Sequence, residues 1–138
     1  MTRRLTAVLL LLFSTGCSRK KTLTSDELKS QLTRAISFAS EEEMFVDYIQ
    51  AGSATSNFAE QHAAYLEAEI QRSADELAKA VPRSGTEPAL QRCRIQLNQL
   101  REELWKVRIH RDDENALSAT KARVEEIRRD LEQAKSAL

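Results

Sequence analysis

The sequence predicts an all-α fold: an antiparallel helical bundle or coiled coil of three long helices. Glycine and proline are scarce, with three glycines and two prolines in 138 residues. Most of them fall in two short stretches, residues 51–56 and 81–88. The chain between these breaks is rich in Ala, Leu, Glu, Gln, Lys and Arg, which favour helices. No alternating run of β-branched residues indicates a strand.

The first 17 residues have the order of an export signal. Residues 1–4 form a short basic start, Leu5 to Phe13 is almost wholly apolar, and small residues then lead to Cys17. This order is typical of a signal peptide. The apolar stretch is too short to span a bilayer, which needs ~20 apolar residues.

The sequence Ser14-Thr15-Gly16-Cys17 resembles the lipobox of bacterial lipoproteins. The resemblance implies that residues 1–16 are removed and that Cys17 is lipidated, with palmitate among its acyl chains. It also implies that residues 17–23 form the linker between the lipid and the helices. Ser14 stands where the lipobox usually has Leu. The alternative is therefore an ordinary secretory signal that leaves Cys17 as a free thiol.

The residues after Cys17 bear on the destination of the protein. Lipoproteins held at the inner membrane commonly carry Asp after the cysteine, whereas this chain has Ser18. The resemblance therefore implies an anchor in the outer membrane of the bacterial envelope, facing the periplasm. Arg19, Lys20 and Lys21 would lie at the lipid headgroups, where each adds up to ~1 kcal/mol on an anionic surface. They would otherwise begin a solvated linker.

The remaining chain, residues 24–138, is expected to form one helical domain. Its first helix is predicted over residues 24–51, because Thr24 can cap the helix while Glu27 reaches back in a capping box. Gly52 marks the end of this helix. Its apolar stripe comprises Leu28, Leu32, Ala35, Ile36, Ala39, Phe45, Tyr48 and Ile49.

The second helix is predicted over residues 56–81. It should start near Ser56 or Asn57, and Pro82 ends it. Because the link to the first helix is short, the two should form an antiparallel hairpin. The stripe of the second helix comprises Ala59, Ala63, Leu66, Ile70, Ala74, Leu77 and Val81.

The third segment, residues 87–137, has the strongest periodicity in the chain. Its apolar residues recur at alternating steps of three and four, as in a heptad seam. The first seam comprises Leu90, Cys93, Leu97, Leu100, Leu104 and Val107. The second seam comprises Leu117, Thr120, Val124, Ile127, Leu131, Ala134 and Leu138. The seams differ in register by one residue across the polar stretch 110–115.

This register shift leaves two architectures open. A continuous third helix is favoured because residues 110–115 contain no glycine or proline to turn the chain. Its second seam would then project past the hairpin and require a protein partner or a second copy of the chain. The expected interface comprises Trp105, Leu117, Val124, Ile127 and Leu131. The alternative is an up-down-up-down four-helix bundle with a turn at 110–115.

Charge and cysteine content limit the functional classes. The 21 basic and 21 acidic side chains balance, which argues against nucleic-acid binding. Acidic side chains outnumber basic ones in residues 24–82, whereas residues 83–138 are arginine-rich. This distribution predicts attraction between the two halves or between copies. With Cys17 lipidated, Cys93 has no partner within the chain. It is expected to be a buried hydrophobe, or else to form an intermolecular disulfide.

The sequence predicts a non-enzymatic protein without a cofactor. No phosphate-binding glycine loop or recognisable nucleophile motif is present. His62 has no metal-ligand partner on its helix face. His110 has Asp113 and Glu114 three and four residues on, which makes a weak metal candidate or a solvated hinge. The acidic residues 41–43 fan around their helix and are interpreted as a solvated face.

Aromatic residues are predicted to meet at the tip of the first hairpin. Folding the first two helices about residues 53–54 brings together Phe45, Tyr48, Phe58, His62 and Tyr65. This cluster would be a local core, or else a ligand or partner pocket far from the membrane.

The leading functional hypothesis is a non-enzymatic, membrane-anchored envelope lipoprotein. Its helices would serve as a spacer, scaffold or protein docking module. The alternative is a periplasmic small-molecule or metal-binding sensor that uses the aromatic tip or His110.

Overall fold

The computed structural model describes residues 20–138, which fold into four α-helices. The signal segment, Cys17 and the first linker residues lie outside the described residues. The helices are α1 (Ser25–Gln50), α2 (Ser56–Ala78), α3 (Glu87–Ile109) and α4 (Glu114–Ser136). Two strands of two residues each, β1 (Thr22–Leu23) and β2 (Val81–Pro82), complete the secondary structure of this part. No helix among residues 20–138 is both long and apolar enough to cross a membrane.

The four helices run up, down, up and down. Lys121 near the start of α4 pairs with Asp47 near the end of α1, so these two helices are antiparallel. Gln96 on α3 likewise bonds to Asp130 near the end of α4. We call the end of the bundle that holds Thr24 the near end, and the opposite end, with the α1–α2 and α3–α4 connections, the far end. The all-α prediction is confirmed, and the chain has the four-helix arrangement.

The prediction of a continuous third helix is wrong. The helix ends at Ile109, and α4 begins at Glu114 after a tight polar turn. The Asp113 side chain caps α4 by accepting a hydrogen bond from the Ala116 backbone N–H at 3.0 Å. An aspartate N-cap can therefore begin a new helix where no glycine or proline stands.

The turn between α3 and α4 explains the register shift between the two seams. Because the chain reverses between α3 and α4, both seams face inward and pack against each other and against α1. The prediction that the second seam lacks a partner within the chain is therefore wrong. Its large members are almost fully buried in the core: Leu117, Val124, Ile127 and Leu131.

The predicted signals at the ends of α1 are confirmed. Thr24 accepts a hydrogen bond from the Glu27 backbone N–H, and the Glu27 carboxylate accepts one from the Thr24 N–H. Lys21 also pairs with Glu27. The hydrogen bond from Lys21 and those from Thr24 lower the pKa of Glu27 to about 2. Gly52 follows the helix with a φ of +68°, a conformation that glycine adopts without strain.

The connection between α2 and α3 differs from the prediction. Helix α2 is capped by Thr55 and ends at Ala78, before the predicted Val81. The chain is extended at Val81–Pro82, where it pairs in parallel with Thr22–Leu23. The Val81 N–H donates to the Lys21 carbonyl at 2.9 Å. This pairing ties the linker before α1 to the near end of the bundle.

Candidate functional site: an aromatic patch at the far end

The aromatic residues predicted at the hairpin tip lie together in the structure. The His62 ring lies 4.8 Å from Phe45 and 5.5 Å from Phe58 between centroids, and it stacks on the latter. Tyr48 and Phe58 meet edge to face at 5.4 Å. Tyr65 lies 6.4 Å from His62. These distances are within the range of favourable aromatic contacts.

Two antiparallel helices position these rings. Phe45 and Tyr48 lie in the last turns of α1, and Phe58, His62 and Tyr65 follow one another along one face of α2. Phe45 is buried beneath the others. We define the aromatic patch as the outer members together with the methionine one turn before Tyr48. The patch therefore comprises Met44, Tyr48, Phe58, His62 and Tyr65.

Four members of the patch have exposed aromatic or apolar side chains. Met44, Tyr48, Phe58 and Tyr65 are respectively 72%, 45%, 45% and 58% exposed. Isolated exposed apolar residues are common on soluble proteins, but a contiguous group marks an interaction surface. Periodicity assigned Tyr48 to the core stripe, although its side chain is half exposed, and it left Met44 outside the stripe, where the structure also has it.

A carboxylate borders the patch. Glu41 of α1 places its Oε1 3.5 Å from the Nε2 of His62 on α2. Sequence spacing within one helix could not reveal this contact, because its partners come from different helices. No group of three or more histidine, cysteine or acidic side chains is arranged to hold a metal ion among residues 20–138. The contact therefore provides a charged border to an apolar surface.

The patch is a surface rather than a deep pocket. Met44, Tyr48, Phe58 and Tyr65 are all substantially exposed. The small cavity of about 10 Å³ that Phe45 lines is on the other side of that ring, against Val107 and Arg108 of α3, and no member of the patch lines it. A flat aromatic surface of this kind suits contact with a protein better than enclosure of a small molecule.

The second predicted polar site has a structural role in the described part of the chain. His110 ends α3, and its carbonyl accepts a hydrogen bond from the Asp113 N–H at 2.9 Å. The Asp113 carboxylate caps α4. Glu114 is exposed in the first turn of α4. The three residues therefore form a helix-to-helix turn.

Ion pairs across the bundle join the acidic first half of the chain to the arginine-rich second half. Arg108 of α3 pairs with Glu60 and Glu67 of α2. Arg128 of α4 pairs with Glu43 of α1 at 2.7 Å. Arginines of α3 and α4 therefore pair with glutamates of α1 and α2, as attraction between the halves predicts.

Comparison of the chain with protein-family models, with curated proteins and with solved structures gives no match.

Proposed function

We propose that the protein is a non-enzymatic envelope lipoprotein, held at the membrane through Cys17, whose bundle docks a partner protein. The observation that supports docking is the aromatic patch. Partner-binding surfaces are enriched in Tyr, Phe and Met, and a few such residues supply most of the binding energy.

The geometry of the bundle supports an anchored arrangement. The linker joins the bundle at the near end, through the pairing of β1 with β2. The patch lies at the far end, and the 26 residues of α1 separate the two ends by roughly 40 Å at 1.5 Å per residue. An anchor on Cys17 would hold the near end toward the lipid and present the patch to the periplasm.

The chemistry of the patch defines the partner. Its apolar side chains would pack against apolar residues, and Glu41 at its border would pair with a Lys or Arg. The α1–α2 half has a net negative charge, because it carries far fewer basic than acidic side chains, so it attracts a basic surface. The proposed partner is a protein segment that combines apolar and basic side chains.

The anchor is tested by comparing wild type with Cys17→Ser in cells supplied with labelled palmitate. The wild type should incorporate the label and partition into detergent, whereas the variant should do neither. Incorporation of equal label by both proteins would contradict anchoring through Cys17.

Docking is tested by placing a photo-crosslinking residue at Tyr65 in intact cells. A matched control places it at Ala122, which is exposed on α4. We expect one discrete adduct from position 65 that disappears in the Tyr48→Ser, Phe58→Ser double variant. Identical adducts from both positions, or an adduct unaffected by the double variant, would contradict docking at the patch.

A further inference from the structure

Helix α3 also carries a regularly spaced row of residues on its outer side. Its outward residues recur at steps of three and four and comprise Ile95, Asn98, Glu102, Trp105 and Ile109. Ile95, Trp105 and Ile109 are 45%, 57% and 49% exposed. We call these five residues the outer ridge. Heptad spacing is the spacing with which one helix packs along another.

A groove flanks each side of the outer ridge. The groove toward α2 has a volume of about 640 Å³, and Arg101 and Trp105 are among its lining residues. The groove toward α4 has a volume of about 490 Å³ and is lined in part by His110 and Ala119. A ridge between two grooves is the surface shape into which a second helix packs.

We propose that the outer ridge pairs with the outer ridge of a second copy of this chain, with the two α3 helices antiparallel. A two-fold axis beside Leu100 places Ile95 of each copy against Trp105 of the other. The same axis places Asn98 of each copy against Glu102 of the other. The surface is therefore self-complementary, as a two-fold interface requires.

Charge selects the antiparallel direction. Parallel helices would place Glu102 against Glu102, and like charges across an interface are unfavourable. In the antiparallel pair the Asn98 amide can donate a hydrogen bond to the Glu102 carboxylate of the second copy. A single polar pair of this kind fixes register in helical interfaces.

Arg101, beside the outer ridge, also favours an acidic group on the surface that docks there. Neither Arg101 nor Glu102 forms an ion pair within residues 20–138. In the antiparallel pair, Glu102 of the second copy meets Asn98 one helical turn from Arg101. The unpartnered guanidinium and carboxylate are thus brought together by pairing.

The pairing leaves the aromatic patch free, because the patch lies on α1 and α2. It also places the near ends of the two bundles at opposite ends of the dimer. If Cys17 is lipidated, as the proposed function has it, the two lipid anchors would lie at opposite ends of such a dimer. The pairing itself does not depend on the anchor and is tested without it.

The oligomeric state is measured by sedimentation of the full chain carrying Cys17→Ser, from micromolar to millimolar concentration. We expect a reversible dimer whose dissociation constant rises at least about tenfold in Trp105→Ala. Arg129→Ala, at an exposed position of α4 outside both the outer ridge and the aromatic patch, is the control and should leave the dissociation constant unchanged. Circular dichroism should show that both variants are folded. A chain that stays monomeric, or a dimer insensitive to Trp105→Ala, would overturn the proposal.

Direction is tested by disulfide trapping between chains that carry Asn98→Cys or Glu102→Cys in the same background. Mixed chains should form the 98–102 disulfide faster than either chain alone forms its symmetric disulfide. Faster symmetric trapping would indicate parallel helices and overturn the antiparallel pairing. A dimer in this background, together with a wild-type chain that takes up no palmitate in cells, would uphold this inference and contradict only the anchor.

Discussion

At the scale of single residues, Glu42 is the most unusual side chain in the core. It is fully buried on α1, and neither carboxylate oxygen has a hydrogen-bond partner among the described residues. Burial and the nearby Glu103 raise its pKa well above the ordinary 4.5. Glu42 is therefore held as the neutral acid, since an unpaired buried charge is far more costly than a neutral group.

We expect Glu42→Met to stabilise the protein near neutral pH by about 1–3 kcal/mol. The substitution replaces an unsatisfied buried polar group with an apolar one of similar length. Chemical denaturation of both proteins measures the difference in the free energy of unfolding. An equal or lower stability of the Met variant would contradict the view that Glu42 lacks a partner.

The same residue predicts a pH dependence with a definite sign. Above pH 4.5 the unfolded chain loses the Glu42 proton that the folded chain retains. The free energy of unfolding therefore falls as pH rises, by up to about 1.4 kcal/mol per unit, until the raised folded pKa is passed. The contribution is fully present below pH 4.5. Glu42→Gln keeps a polar side chain that does not titrate, so it should lack this slope. Parallel pH profiles for wild type and Glu42→Gln would contradict the assignment.

Cys93 should be unreactive while the protein is folded. The thiol is fully buried on the first seam, and burial raises its pKa to about 12. In the Cys17→Ser background, we expect a maleimide to modify Cys93 only after denaturant is added, because the thiolate is the reactive form. Ala122→Cys is the exposed control and should react at once. Rapid native labelling of Cys93, or a disulfide-linked dimer through it, would show that the thiol is accessible.

At the scale of secondary-structure elements, the end of α2 depends on a side chain from α3. The last turn of α2 has no basic residue of its own. Arg94 supplies the donors: its Nε and Nη2 bond to the Leu77 carbonyl at 2.9 and 2.7 Å, and Nη2 also bonds to the Ala80 carbonyl at 2.8 Å. The guanidinium thus satisfies carbonyls that a helix end leaves unpaired.

Arg94→Met should lower the free energy of unfolding by about 1.5–3 kcal/mol, because hydrogen bonds from a charged donor to buried carbonyls are lost. Arg94→Lys should recover only part of this loss, since an ammonium lacks the planar fork. The exposed Arg92 is the matched control, and Arg92→Met should change stability by less than about 0.5 kcal/mol. Denaturation midpoints measure the three effects. Equal losses at positions 92 and 94 would contradict the capping role.

The sequence predicted local features of the helices but not the features that depend on how the helices pack. Helix positions, the Thr24 capping box and the Gly52 stop are local features, so periodicity and capping residues predicted them. The turn after Ile109 and the buried position of Glu42 depend on where a neighbouring helix lies. Three acidic residues in a row fan around the axis, so one must face inward when the helix is packed on several sides. Only the fold identifies Glu42 as that residue.

At the scale of the whole molecule, the bundle depends on α4 to close its core. The first seam lies on α3 and the second on α4. The two seams face each other in the bundle, and each buries the other. Sequence periodicity identified both apolar surfaces but could not say what covered the second one. The exposed outer ridge of α3 has the same heptad spacing as the buried seam, so spacing alone does not separate core from surface. The buried seam differs in having leucine or another apolar residue at every position.

Truncation after Asn115 should therefore abolish cooperative folding. It removes four large buried side chains of α4: Leu117, Val124, Ile127 and Leu131. Each contributes about 1.5–3 kcal/mol on burial, and together they rival the 5–15 kcal/mol that a domain typically has in total. We expect loss of the thermal transition in circular dichroism and strong binding of a hydrophobic dye. A chain ending at Ser136 keeps all of α4 and should unfold like the wild type. If the chain ending at Asn115 melts cooperatively and binds no dye, α4 does not complete the core.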